Sequence, residues 1–320
     1  MTKSHFGRVL ALHLGLVALL FGLQFVLPDY HHLAMTRVMV LAVYAMGYNM
    51  LFGYTGLLSL GHAMFFAAGL YGAGLTAYYT DWGVPVAFLI GIASGFALSL
   101  VIGLISLRTT GVAFMIVTMM FAQVAYLTTT YFTDFTRGEE GLTMPQAARS
   151  FDLLGLHVDL TNAAQRYNLA LGLLVVALVV IFAVVKGPIG RVLIAIRENE
   201  PRTLMLGYDT FRLKLVAVVL SGTISAMAGA AYALLFGYIG ATFATIQYSI
   251  EPLLFTLLGG AGTILGPLIG TAAMFYMIDI ASNYTAAYLL VTGVALVLLV
   301  LYFPKGILGT IRERWWPWLP

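Results

Sequence analysis

The chain has 320 residues, of which 61% are hydrophobic and only 9% charged; it carries 34 glycines, no cysteine and a net charge of +3. Soluble domains carry about a quarter charged residues, so a mean hydropathy of +0.95 excludes a chain that covers itself with polar surface in water, and lipid must be its main solvent. The lack of cysteine also removes disulfides, thiol catalysis and thiolate metal sites.

A helix needs about 20 apolar residues to cross a hydrocarbon core of about 30 Å. On that rule crossings are predicted near residues 9–27, 34–52, 63–80, 84–107, 111–131, 167–185, 215–236, 249–262, 264–281 and 285–303. The expected fold is an all-α polytopic membrane protein of about ten transmembrane helices, broken or re-entrant segments included, forming one transmembrane domain over 1–320. The first run, from Val9 to Leu27, is longer than a signal core and no small-x-small site precedes Pro28, so it is expected to be retained as a span.

Charge placement sets the orientation. With the N-terminus inside, Lys3, Arg8, Arg108, Lys186, Arg191, Arg197, Arg202, Arg212, Lys214, Lys305, Arg312 and Arg314 are cytoplasmic, and only Arg37, Arg137, Arg149 and Arg166 lie outside. That bias is the positive-inside pattern, and both termini are expected to be cytoplasmic. Trp315, Trp316 and Trp318 beside basic residues have the composition of an interfacial anchor.

Glycines concentrate in "GYTGLLSLGHA" and "GGAGTILGPLIG", and "TGLLSLGH" (55–62) is expected to be a broken or re-entrant helix near a solute pathway. Its polar groups are Thr55, Ser59 and His62, with Asn49 placed to satisfy backbone freed around Gly53. For His62 two roles stand: lining the pathway, or holding a structural hydrogen bond. Gly69, Gly72 and Gly74 are read as close-packing positions. The outer segment 132–166, with Arg137, Glu139 and Glu140 in "TDFTRGEEGLTMP", is too long for a tight turn and is expected to be functional, with a solvated connector as the alternative.

The segment 186–214, "KGPIGRVLIAIRENEPRTLMLGYDTFRLK", holds the densest charge in the chain. Val192, Ile196, Leu204 and Leu206 alternate with Arg191, Arg197, Glu198, Glu200 and Arg202. Pro201 is tolerated only in a first turn, so two short helices are predicted, one ending near Asn199, the other running from Glu200 to Gly207. Such a segment can lie on lipid headgroups or dock a cytoplasmic partner. Further on, Glu251 precedes Pro252 and is expected at a helix start near the outer interface, either complementing the helix dipole or meeting a solute ammonium or a partner. Asp279 and Asn283 are expected to be solvated.

Several blocks resemble the LivM-type permease subunit of branched-chain amino acid ABC importers. "GYNMLFGYTGLLSLGHAMFFAAGLYGAGL" (47–75) is similar to that family's signature through Asn49, Gly53, Gly56, Ser59, Leu60, Gly61, His62, Ala63, Phe65 and Phe66. "GRVLIAIRENE" (190–200), "SIEPLLFTLLGGAGTILGPLIG" (249–270) and "YFPKGILG" (302–309) are also close, in order along the chain. The spacing of Glu200 and Gly207 resembles the coupling loop of ABC-importer permeases, although Pro201 and Arg202 depart from it.

The resemblance implies a bacterial inner-membrane permease that forms half of a pathway for branched-chain or related amino acids. Implied partners are a second, LivH-type permease, two cytoplasmic ATPases carrying the ATP and magnesium, and a periplasmic or lipid-anchored substrate-binding protein, with no nucleic acid. Residues 186–214, through Arg191, Arg197, Glu198, Glu200, Arg202 and Gly207, would couple to the ATPases. Asn49, Thr55, Ser59, His62 and Glu251 would line the pathway, and Arg137, Glu139 and Glu140 would meet the binding protein. The chain itself has no G-x-x-x-x-G-K-[ST] loop, and no catalytic or metal constellation, so no enzyme activity or bound cofactor is expected. Relatives that move urea or small organic acids keep those substrates open, and an ion-coupled secondary transporter is the rival class.

Overall fold

The computed structural model describes residues 3–153, 156–303 and 305–316. Side chains at Lys3 and Trp318, part of the expected charge map and anchor, lie outside the described set. The helices are α1 (Lys3–Leu23), α2 (Asp29–Thr55), α3 (His62–Tyr79), α4 (Val84–Ser106), α5 (Val112–Tyr131), α6 (Thr133–Thr136), α7 (Ala163–Lys186), α8 (Pro188–Met205), α9 (Thr210–Phe236), α10 (Ile246–Gly259), α11 (Gly266–Tyr284), α12 (Tyr288–Tyr302) and α13 (Gly306–Arg314). Each of the ten expected crossings overlaps a helix, although α1 stops at Leu23, α10 at Gly259, and α12 starts only at Tyr288. Among the described residues, five of these helices, α2, α4, α5, α7 and α9, are long and apolar enough to cross a membrane.

At the heart of the bundle, α2 and α9 pack on each other; α2 also meets α7, α10 and α11, while α9 meets α3 and α4. Small residues allow this closeness. A Cβ on Gly69 would stand 1.9 Å from Ala226 O, one on Gly229 2.0 Å from Phe66 O, and one on Gly95 1.9 Å from the Ala226 side chain. The expected packing roles of Gly69, Gly72 and Gly74 agree with their crowding against Ala226, Ser94 and Ile239.

Two helices are interrupted within the bundle. α2 ends at Gly56 in the left-handed region (φ 77°), and the chain runs on without helical structure until α3 begins at His62. Gly61 sits against the α5 backbone at Thr118, and the amide of Ala63 donates to Ser249 Oγ of α10 at 2.9 Å. This is the interruption expected over 55–62. A second break separates α10 from α11, where Gly259 and Gly266 approach so closely that a Cβ on Gly259 would lie 1.8 Å from Gly266 O.

α10 starts earlier than expected. The Thr245 hydroxyl accepts from Tyr248 N and caps the helix, so Glu251 falls in the second turn rather than at the start. Pro252 therefore lies inside the helix and cannot donate back to Tyr248 O; the Tyr44 hydroxyl does so instead, at 3.2 Å. Asp279 is not merely solvated as expected, because the Tyr30 hydroxyl donates to it.

The two ends of the bundle differ. One carries α8, the break after α2, the α10–α11 break and α13. α1 begins at this end too, since its later residue Leu20 accepts from Tyr167 at the start of α7. At the other end, residues 132–166 fold into α6 and short strands β1 (Leu142–Thr143), β2 (Ser150–Leu153) and β3 (Leu156–Asp159). β2 and β3 form an antiparallel hairpin, while β1 pairs with β4 (Tyr238–Ile239), which follows α9.

Candidate functional site: the charged arm and the two helix breaks

α8 is two helices across a kink. Asn199 is extended (φ −160°, ψ 94°); its Oδ1 accepts from Arg202 N at 2.9 Å and so caps the second helix. Pro201 thus sits in a first turn, as the sequence requires. Gly207 (φ 88°) ends the second helix in a conformation that favours glycine. On the first helix Leu193 and Ile196 are buried. On the second, Leu204 is 53% exposed, Met205 87%, Leu206 71% and Tyr208 47%. The sequence pattern assigned Leu204 and Leu206 to a face needing cover and missed Met205 and Tyr208; three consecutive apolar residues before Gly207 were the available signal.

The charges of this arm divide by partner. Arg191, Arg197, Glu198 and Arg202 are all exposed, the side chains of the first, third and fourth without a partner among the described residues of the bundle. Glu200 pairs at 2.6 Å with the buried Lys214 at the start of α9. Arg197 reaches inward: its Nη1 donates to Gly53 O, its stem packs on Gly56, and its guanidinium lies against Gly262 in the α10–α11 break. One side chain therefore touches both helix breaks.

Asn49 ties α2 to the α10–α11 break. Its Oδ1 accepts from Gly262 N and its Nδ2 donates to Thr263 O, both at 2.9 Å. The sequence placed it to serve backbone freed around Gly53; it serves backbone freed at the other break, because Gly53 brings α2 within reach of Gly262. Arg312 of α13 approaches Gly262 O at 3.4 Å. Lys305, hydrogen-bonded to Glu313 at 2.7 Å, holds that carboxyl below its ordinary range.

Two cavities open at this end. One of about 640 Å³ is lined by Thr55, Gly56 and Leu57, by Gly111 and Met115, and by residues 196–201. The other, about 510 Å³, lies between Arg197, Gly262, Lys305 and Arg312. Arg197 forms the wall between them. Of the expected pathway residues, Thr55 reaches a cavity; Asn49, Ser59 and His62 are fully buried within this chain, and Glu251 is half-buried. His62 Nε2 lies 2.7 Å from Ser221 Oγ, whose hydroxyl donates to Gly47 O at 2.6 Å. The serine has one proton to give, so Nε2 is the donor and Nδ1, buried without a partner, is a bare acceptor. The hydrogen-bonding role of His62 is thus realised.

At the opposite end Arg137 (φ 59°), Glu139 and Glu140 are exposed around an open cavity of about 790 Å³. Glu139 accepts from the Tyr126 hydroxyl at 3.2 Å. Among the described residues no group of three or more His, Asp or Glu could hold a metal.

The sequence profile of the family described as branched-chain amino acid transport system / permease component matches residues 31–303. The chain belongs to this permease family. It is therefore a multi-pass membrane protein and a transport component. Over 301 residues it is 27% identical to the high-affinity branched-chain amino acid transport system permease protein LivM of Escherichia coli K12, covering 87% of this chain and 70% of the relative. The same figures hold for LivM of Salmonella typhimurium LT2. A probable branched-chain amino acid transport permease protein LivM from Methanocaldococcus jannaschii is 30% identical over 137 residues, 38% of this chain and 39% of that protein. No solved structure matches.

Proposed function

We propose that this permease is one subunit of an ATP-driven ABC importer in a bacterial inner membrane, carrying branched-chain or related amino acids inward. It works with a second, LivH-type permease, two cytoplasmic ATPases that bind ATP and magnesium, and a substrate-binding protein that docks at residues 132–166. The observation that carries this reading is the apolar tip Leu204–Met205–Leu206–Tyr208, exposed on a charged arm outside the apolar bundle. A lipid-lying helix keeps its apolar face towards the acyl chains; this tip ends an arm whose root, through Arg197, touches both helix breaks. An arm that exposes an apolar tip together with Arg191, Glu198 and Arg202 has the composition of a protein interface, which combines apolar anchors with polar residues. ATPase closure would push the tip, and the arm would move the breaks.

The test is co-purification of the permease with its ATPases and ATP-driven uptake of leucine. Met205→Asp with Leu206→Asp abolishes co-purification and uptake while membrane insertion is normal. Full assembly and uptake by that variant would refute the reading.

A further inference from the structure

Three arginines surround the outer end of α9, and their bonding differs. Arg149 donates from Nε to Leu234 O at 3.1 Å and from Nη2 to Leu160 O and Leu235 O, so it caps the helix. Arg37 of α2 and Arg166 of α7 instead lie over the ring of Phe236, the last residue of α9, with guanidinium carbons 5.5 and 5.9 Å from its centroid. The Nε of each is buried without a hydrogen-bond partner. Neither joins an ion pair among the described residues, although Arg212, Lys214 and Lys305 are each answered by an acid of this chain. The aromatic ring offsets part of the cost of holding two cations against it, yet neither guanidinium group has a hydrogen-bond or ion-pair partner among the described residues, and its forked donors match a carboxylate. Both residues are half-buried, so part of each side chain remains open to an anion from outside although its Nε is covered.

We propose that Arg37 and Arg166, set on Phe236, receive the carboxylate of the transported solute at the outer mouth of the permease. The inference rests on the importer reading above and deepens it: the site takes small monocarboxylates, amino acids among them, and rejects amides and urea, which bring no negative charge to the two guanidinium groups.

The test uses the complete complex in proteoliposomes with radiolabelled leucine, and a Phe236→Trp permease as a fluorescent reporter that keeps an aromatic face. Arg37→Gln and Arg166→Gln each lower leucine uptake about tenfold below saturation and together about a hundredfold, with ATPase and binding-protein association unchanged. Arg37→Lys and Arg166→Lys give intermediate losses and carry the test if the Gln variants fail to insert. Leucine and acetate shift the emission of the Phe236→Trp reporter, leucinamide does not, and the double Gln background abolishes the shift. The inference is overturned if the double variant transports like the unmodified protein, or if leucinamide shifts the emission equally. It is also overturned if the double variant loses the binding protein, which would make a protein carboxylate the partner, or if omitting anionic lipid reproduces the defect, which would make it a phospholipid phosphate. A complex that moves no leucine while the reporter answers acetate would remove the importer reading and leave the carboxylate site standing.

Discussion

Replacing Asn49 by Ala tests whether one side chain holds the α10–α11 break in place. Asn49 is 1% exposed, and its amide satisfies Gly262 N and Thr263 O at 2.9 Å each. Removing it leaves one backbone donor and one acceptor without partners, at about 1–3 kcal/mol for each group. Thr263 is buried at 2%, so its carbonyl bears the full loss. Gly262 lines the inner cavity, where water can replace the lost acceptor, which puts the total near the low end, about 2–3 kcal/mol. That corresponds to a roughly 30- to 150-fold rise in opening of the break. Because the chain contains no cysteine, Ala261→Cys gives a single thiol in that break, and its rate of maleimide labelling reads the opening directly. Labelling should accelerate by that factor in Asn49→Ala, with a single Cys in α4 unchanged. Equal labelling rates would refute the idea that Asn49 clamps the break.

Arg197→Ala should leave the permease bound to its ATPases, because the side chain faces Gly53 and Gly262, but cut leucine uptake per ATP hydrolysed by roughly tenfold or more; loss of ATPase binding would show that Arg197 is a docking residue instead. Gly259→Ala should abolish monodisperse protein in size-exclusion chromatography, since its Cβ would meet Gly266 O at 1.8 Å, whereas Gly172→Ala, with nothing within 4 Å, should be neutral. Ser221→Ala removes the donor to Gly47 O and the acceptor of His62 and should destabilise by about 2 kcal/mol in thermal unfolding in detergent; an unchanged midpoint would dissolve the claimed link between α2, α3 and α9. Glu139→Lys with Glu140→Lys should weaken stimulation by the binding protein severalfold; unaltered stimulation would make residues 132–166 a plain connector.

Much of the fold could be read from the chain because its causes are local. Apolar runs located the helices, the glycine-rich stretch 53–61 marked a break after α2, and Pro201 required the kink that Asn199 provides. Helix starts were less legible where two signals competed. At α10 the acid at Glu251 and Pro252 drew the expected start too late, while the Thr245 hydroxyl earlier in the chain did the capping. In the site, Arg197 and Glu200 read as surface charges of the arm. Their actual partners, Gly53 O and Lys214, lie on other helices.

The amino-acid sequence by itself determined a lipid-embedded helical chain, the positions of its apolar segments, the interruption at 55–62 and the charged arm, since these follow from residue type and neighbours a few positions away. Only the tertiary structure decided which polar groups meet: Asn49 with Gly262, Arg197 across both breaks, Tyr30 with Asp279, and Arg37 with Arg166 on Phe236. Hydropathy reports how much of a helix shuns water; it carries no information on which neighbour each of its faces will find.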